Sequence, residues 1–480
     1  MSAAPVEAPA DERLPGGFEV RVRSDVRRVE GGRTLLGGSP LRSLRLSPRA
    51  RRALEGDRLV VADATSEELA RRLLAANLAD PVLDDVAVAQ HELTVVVPVR
   101  DRPEQLERAL APLAGLRLLV VDDASHDPAA VAAVAARHGA RVLPLPVNLG
   151  PAGARNAGLR EVRTACVGFV DSDVQADTAM LLRLARHLAD PRVALVGPLV
   201  RSRARSVPPR WFERYDECSS SLALGSRSCA VAPGAAVAWL PSACLVGRTD
   251  LLGEGFTEAM RVGEDVDLVW RLVGAGRVVR YEAGETAWHD ARPTVGEWAG
   301  RKYLYGTGGA ALAARHGSAG AVAVLSPAMA VAGAAVLLRR RWSLPVVALG
   351  LARAWQQLVR VLPDVPERPA MAASVAVRGL GWAVRQESAL LLRHWWPLGL
   401  LALGSRSGRR ALVSAVAVDL VVHRDVVRRT GLLRTLVARR VDDLAYGSGL
   451  WVGAVREREW RGLAVRVVGR RRAPASPAGR

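Results

Sequence analysis

Three carboxylates stand where chemistry could be done: Asp171, Asp173 and Asp265. The first two close the run Phe169-Val170-Asp171-Ser172-Asp173, whose apolar part reads as a buried strand. Where such a strand gives way to a turn, carboxylates at i and i+2 reach the same side. Hard oxygen ligands of that kind suit Mg²⁺ or Mn²⁺, which bridge phosphate oxygens. An Asp-x-Asp is also a common surface turn, and only its place at a strand end distinguishes it. Asp265 lies in Gly263-Glu264-Asp265-Val-Asp267-Leu268, ahead of a helical pattern that turns Leu268 and Leu272 inward. A carboxylate at the head of a helix can take a proton from a hydroxyl as a general base. Acidic residues there also satisfy the helix dipole, which by itself accounts for Glu264 and Asp267.

Other candidates surround these three. Val121-Asp122-Asp123-Ala-Ser125 ends a second apolar strand; a carboxylate at that place can accept from a nucleobase or a ribose hydroxyl, or can simply cap the following helix. Asn148-Leu-Gly150-Pro-Ala-Gly153-Ala-Arg155-Asn156-Ala-Gly158 brings backbone close to a ligand and offers the Arg155 cation for phosphate or for orienting carboxylates. Gly158 reads better as a packing glycine. Trp288-His289-Asp290 supplies His289 as a metal or phosphate contact, against the alternative of a structural histidine.

These residues need elements to hold them. Leu93–Val99, Leu118–Asp122, Arg141–Leu145 and Ala165–Asp171 read as strands, separated by helices over 103–113, 128–138 and from Gly150, the alternation of a parallel sheet. Ahead of them, residues 18–85 form a small unit. Phe18–Arg23 alternates as a strand does, Gly31-Gly32 and Gly37-Gly38 flank a short hairpin run, and helices start at Pro48 and Ser66. The pattern resembles a winged-helix module of the peptide-recognition kind, or a cap packed on the enzyme. The expected fold class is α/β: a mostly parallel Rossmann-like sheet over 93–305, with an apolar α-helical region over 306–470 and disordered ends at 1–17 and 471–480.

The 480 residues carry a net charge of +19, nearly all of it arginine, with Lys302 the only lysine. Nucleic-acid binding wants basic residues interleaved with aromatics on one element, and the excess here lies instead beside apolar runs in the last third. That suits an anionic membrane surface and excludes nucleic acid as a partner. Residues 318–338 are free of charge over a bilayer's length. A single membrane span, interfacial association at the cytoplasmic side of the membrane, and a buried helical domain all remain open. Four cysteines without metal-ligand spacing fit a reducing compartment, and no signal peptide is expected from a first segment of charges and prolines.

Taken in order, Val-Val-Val-Pro-Val-Arg, Val-Asp-Asp-Ala-Ser, Asn-x-Gly-x-x-x-Ala-Arg-Asn-x-Gly, Val-Asp-Ser-Asp and Gly-Glu-Asp-x-Asp-Leu resemble the family-2 glycosyltransferases of the GT-A fold over residues 93–290. The resemblance implies a nucleotide-sugar donor whose nucleoside is held by the first strand's loop, Pro98 and Arg100, and by Asp122 and Asp123; Arg155 and Asp171 are added to the donor site from the reading of the residues themselves. It further implies a divalent metal on Asp173, beside which His289 is the additional ligand the residues offer, and Asp265 as the catalytic base of an inverting displacement. Within that family the chain resembles the transferases of mycofactocin biosynthesis, through Gly-Gly-x-x-Leu-Leu-Gly-Gly-Ser-Pro-Leu-Arg, Arg301-Lys-Tyr-x-Tyr-Gly and the Ala/Arg-rich C-terminal region. This implies a peptide-derived small-molecule acceptor and repeated β-1,4 addition of glucose from UDP-glucose. A polyprenyl phosphate or cell-wall glycan acceptor is the alternative, and a non-catalytic peptide-binding scaffold a second one. The Gln-x-x-Arg-Trp motif of processive relatives is missing; Trp298, Arg301 and Tyr303, with Glu264, are the expected acceptor contacts instead.

Overall fold

The computed structural model describes residues 12–38 and 41–467 and divides into two compact units, Met1–Arg292 and Pro293–Arg480. The disordered end expected over 1–17 lies outside the described residues as far as 11, and the tail 471–480 lies wholly outside them, as do Ser39 and Pro40 of the N-terminal motif.

The first unit begins with two small antiparallel sheets, one of Arg58–Val60, Glu19–Val22 and Ala79–Val82, the other of Arg27–Val29, Thr34–Gly37 and Arg42–Arg45. Helices Pro48–Ala53 and Ala64–Ala75 close them over a core that includes Val20, Leu35, Leu59, Leu69, Leu73 and Leu78. The second of these helices starts at Ala64, two residues earlier than Ser66 suggests. Asp63 is its cap, accepting from the Ser66 backbone N–H at 2.8 Å while the Ser66 hydroxyl accepts from the Asp63 N–H at 2.9 Å. An aspartate is the stronger cap, and the serine serves as its reciprocal partner.

The sheet that carries the candidate residues runs Arg141–Pro144, Arg117–Asp122, Leu93–Val99, Cys166–Val170, Cys244–Arg248, Val193–Arg203, Val278–Asp290, Val174–Gln175 from edge to edge. Its first four strands are parallel, and the Cys244–Arg248 strand enters antiparallel between two of its neighbours. Leu93–Val99 is the first strand in sequence, and the chain moves outward from it to Arg117–Asp122 and Arg141–Pro144, then returns to its other side as Cys166–Val170. That reversal opens a crevice beyond the carboxyl ends of the strands. Both sheet faces are covered by apolar layers, one centred on Val95, Val97, Leu106 and Val120, the other on Val96, Val121, Phe169 and Leu268. Helix Gly150–Glu161 lies on the sheet through Gly158, where a Cβ would come 2.3 Å from Val96 Cγ1. Gly158 is thus the packing glycine its spacing suggests.

The second unit is helical. Its longest helices, Val295–His316 and Leu432–Glu457, cross at glycines: a Cβ on Gly449 would lie 1.9 Å from the Tyr303 carbonyl, and one on Gly306 2.1 Å from that of Tyr446. The division at Arg292/Pro293 differs from the boundary expected after Tyr305, which falls inside the unbroken helix Val295–His316. A single membrane span over 318–338 is ruled out. That stretch splits into a 3₁₀ turn Gly317–Gly320, a strand Ala323–Leu325 paired with Val465–Val467, and a helix Pro327–Leu338. Proline at the first helical turn starts that helix late, and its 12 residues reach only about 18 Å against a bilayer core of about 30 Å. No helix among the described residues is long and apolar enough to cross a membrane.

Candidate active site

Asp171, Asp173, Asp265 and His289 meet at the carboxyl end of the central strands. The Asp171 N–H donates to the Ala243 carbonyl at 3.0 Å, and the neighbouring Ser242 N–H donates to Asp265 Oδ2 at 3.3 Å, so one loop touches both carboxylate segments. Arg155 joins the same residues from the other side. Buried to 2% exposure, its guanidinium donates to Asp171 Oδ1 at 2.5 Å and to Glu264 Oε1 at 3.4 Å, and lies over the Phe256 ring. Among the described residues it is therefore engaged by carboxylates rather than held open toward a phosphate. Its neighbour Asn156 fixes the approach of the next segment: its amide donates to the Phe256 carbonyl and its oxygen accepts from the Phe256 N–H, both at 2.8 Å.

Gly263, at φ 85°, makes the turn that starts helix Glu264–Gly274 and points three acidic side chains into its first turn. They are not equivalent. Asp267 is fully buried and spent on structure, accepting from the Thr257 hydroxyl at 2.6 Å and from Arg271 Nε at 2.8 Å. Glu264 is held by Arg155, and burial raises its pKa above the ordinary carboxylate value. Asp265 is pushed up to about 7, first by burial and second by the like charge of Glu264, against the hydrogen bonds it accepts from Val266 and Ser242. A carboxylate poised near neutral pH is suited to accept a proton from a hydroxyl.

Asp173 sits 8% exposed, its carbonyl accepting from the Asp290 N–H at 2.9 Å. Strand Val174–Gln175 pairs with Val278–Asp290 so that Val174 faces His289, which sets His289 Nε2 3.6 Å from Asp173 Oδ1. Among the described residues no group of three His, Cys, Asp or Glu side chains converges to hold a metal. A carboxylate and an imidazole still fit Mg²⁺ or Mn²⁺, because such ions take only one or two protein ligands when phosphates and water supply the rest.

The other expected donor residues lie around the same crevice. Asp122 Oδ1 accepts from the Ser125 N–H at 3.0 Å and Asp123 Oδ1 from the Leu149 N–H at 2.7 Å, so one oxygen of each carboxyl holds a loop. The helix cap itself is Asp127. Pro98 pairs with Val121 inside the sheet, and Arg100 is exposed with its Nε 3.6 Å from Asp101 Oδ2. Asp101, at φ 55°, accepts from the His126 N–H at 2.6 Å and locks the first strand's loop to the second's. Three residues named for the acceptor lie on helix Val295–His316 of the second unit: Arg301, partly exposed with its guanidinium 5.7 Å from the Tyr305 ring; Tyr303, also partly exposed; and Trp298, only 2% exposed. No face of the Trp298 ring is open to a sugar in this conformation, which corrects the expectation of direct contact.

Four arginines of the site escape the sequence reading. Arg102 Nη1 and Arg292 Nη2 each lie 3.3 Å from Asp173 Oδ2, while Arg108 and Arg205 bond the two oxygens of Asp290. In a chain so rich in arginine no single one stands out. Only Arg102, just past a strand end, carried a positional signal.

The glycosyl transferase family 2 model matches residues 94–229. The chain is 42% identical over 469 residues to the pre-mycofactocin glycosyltransferase of Mycobacterium tuberculosis, covering 93% of this chain and 97% of that protein. It is also 39% identical over 102 residues to an uncharacterized glycosyltransferase of Mycobacterium bovis, covering 21% of this chain and 45% of that one. Among solved structures, the mannosyltransferase of Pyrobaculum calidifontis in complex with GDP-Man and Mn²⁺ aligns at a TM-score of 0.38 and 19% identity, over 71% of this chain and 89% of that one.

Proposed function

The chain belongs to the family of the pre-mycofactocin glycosyltransferases, within glycosyltransferase family 2, and from that premise we propose that it moves glucose from UDP-glucose to the peptide-derived mycofactocin precursor, in β-1,4 linkage and by repeated addition. The observation that carries the mechanism is Asp265, a carboxyl pushed up to about 7 at the head of a helix beside the Asp171–Asp173 turn. In this reading Asp265 takes the proton of the acceptor hydroxyl as its oxygen attacks the anomeric carbon of the donor. The bond to the departing diphosphate breaks on the opposite side, and the configuration inverts. Glu264 and Arg155 hold Asp265's surroundings in place and bracket the site from within. Asp122 and Asp123, with Pro98 and Arg100, take the nucleoside at the crevice, and Asp171 lies on the donor side of the turn. Asp173 and His289 would hold a divalent ion, Mg²⁺ or Mn²⁺, whose chemistry is to offset charge on the leaving diphosphate.

On the acceptor side, Arg301 and Tyr303 are the contacts we propose, with Glu264 at the helix head; Trp298 acts through their shared helix rather than by touching sugar. Association with an anionic membrane surface is a further part of the proposal. Leu398, Leu400 and Leu401 are exposed close in sequence to the exposed Arg406, Arg409 and Arg410, a pairing of apolar and cationic side chains that suits the interface of a cytoplasmic leaflet. The experiment is incubation with UDP-glucose, Mn²⁺ and the precursor, with product mass as readout. Mass increments of one or more hexoses are expected from the wild type and none from Asp265→Asn, while donor binding persists in the variant. Equal transfer by Asp265→Asn would remove it as the base.

A further inference from the structure

Asp173 and Asp290 are neighbours, joined by the Asp290 N–H to the Asp173 carbonyl at 2.9 Å, and each carries two arginines. One guanidinium suffices to neutralise a buried carboxylate, so the second at each is surplus to structure. The six side chains, four arginines and two aspartates, together carry a net charge of +2. The diphosphate of a sugar nucleotide carries two negative charges. Three of the four guanidiniums are also reachable: the side chains of Arg102, Arg108 and Arg205 are 42%, 36% and 35% exposed, whereas Arg292 is 13% exposed and presents only its edge. Arg102 and Arg292 converge on a single oxygen, Asp173 Oδ2, at the long distance of 3.3 Å. A planar guanidinium has five donors in a fork that matches phosphate oxygens, so one long contact leaves most of that capacity unspent.

We propose that Arg102 and Arg292 form a cradle for the donor's diphosphate, binding it directly and without need of a divalent ion, with Arg108 and Arg205 reinforcing the positive field from Asp290. The inference rests on the donor site proposed above. Asp173 then has two partners to choose between. A cation held by Asp173 would leave both guanidiniums to the phosphate oxygens; in its absence they would be shared between carboxylate and phosphate. The positions come from three separate elements: the loop after Leu93–Val99, the Asp171–Asp173 turn, and the end of Val278–Asp290. Only the folded sheet assembles them.

Calorimetric titration of UDP, UMP and GDP into the full chain, in EDTA and in Mn²⁺, tests this. UDP is expected to bind in EDTA, with Arg102→Ala and Arg292→Ala each weakening that metal-free affinity about tenfold, as loss of a charge-assisted bond to phosphate does. UMP, with one phosphate, loses less. Asp173→Asn is expected to abolish the gain from Mn²⁺ while leaving metal-free UDP binding as tight or tighter, since it removes the competitor for both guanidiniums. Arg292→Lys, which keeps the charge but not the fork, gives an intermediate loss and guards against misfolding of the alanine variant. The proposal is overturned if UDP binds only with Mn²⁺, or if both alanine variants bind in EDTA as the wild type does. Absence of UDP and GDP binding under both conditions overturns the donor site itself, and the cradle with it.

Discussion

Asp265 and Glu264 divide a task by being adjacent. Glu264 is fixed by Arg155, and its charge opposes ionisation of Asp265, which burial already disfavours. A base works only when deprotonated, so transfer should rise as pH passes through about 7 and level off above it. Glu264→Gln removes the like charge and leaves Arg155 less compensated; both changes favour the Asp265 anion. The rising limb of kcat against pH is therefore expected to move to lower pH in Glu264→Gln, and a limb that stays in place would remove Glu264 from this role. The sequence already set Asp265 apart as the base and gave Glu264 and Asp267 to the helix dipole. It did not show what holds those two, which is Arg155 for Glu264 and Thr257 with Arg271 for Asp267. The arginines at Asp173 were hidden for the same reason, since their meaning lies in pairings across 71 residues of chain for Arg102 and 119 for Arg292.

At the scale of elements, the parallel strands and their helices were legible because each is a short apolar run closed by a turn signal, and the observed strands fall where those runs do. Helix Gly150–Glu161 packs on the sheet through Gly158 and carries Arg155 and Asn156, which hold Asp171, Glu264 and Phe256, so its seating sets the site. Gly158→Ala would place a methyl 2.3 Å from Val96 Cγ1 and 3.1 Å from Val121 Cγ2. Overpacking of that kind costs about 1–3 kcal/mol, and a lowered denaturant midpoint with reduced transfer is the expected result. An unchanged midpoint would mean that the helix can lift without consequence. Residues 318–338 show what the sequence could not decide. Composition alone allows a span there, whereas Pro327 and the pairing of Ala323–Leu325 with distant Val465–Val467 divide it.

For the whole molecule, the N-terminal sheets are tied to the transferase sheet within the first unit rather than tethered to it. Ala230 N–H donates to Asn77 Oδ1 at 2.7 Å, and Asp80 receives both Arg23 at 2.6 Å and Arg280 at 3.6 Å. The second unit places exposed Leu344, Leu401 and Leu433 among many arginines, and the chain is expected to float with vesicles containing anionic lipid and to be released by salt, whereas vesicles of neutral lipid should leave it behind. Flotation independent of lipid charge would contradict the electrostatic part of that reading. Whether Asp265 is the base of this glycosyltransferase is read from the mass of the product formed with UDP-glucose, Mn²⁺ and the mycofactocin precursor. Hexose additions are expected from the wild type and none from Asp265→Asn, with UDP still bound by the variant; hexose addition at the wild-type rate by Asp265→Asn would mean that another group takes the proton.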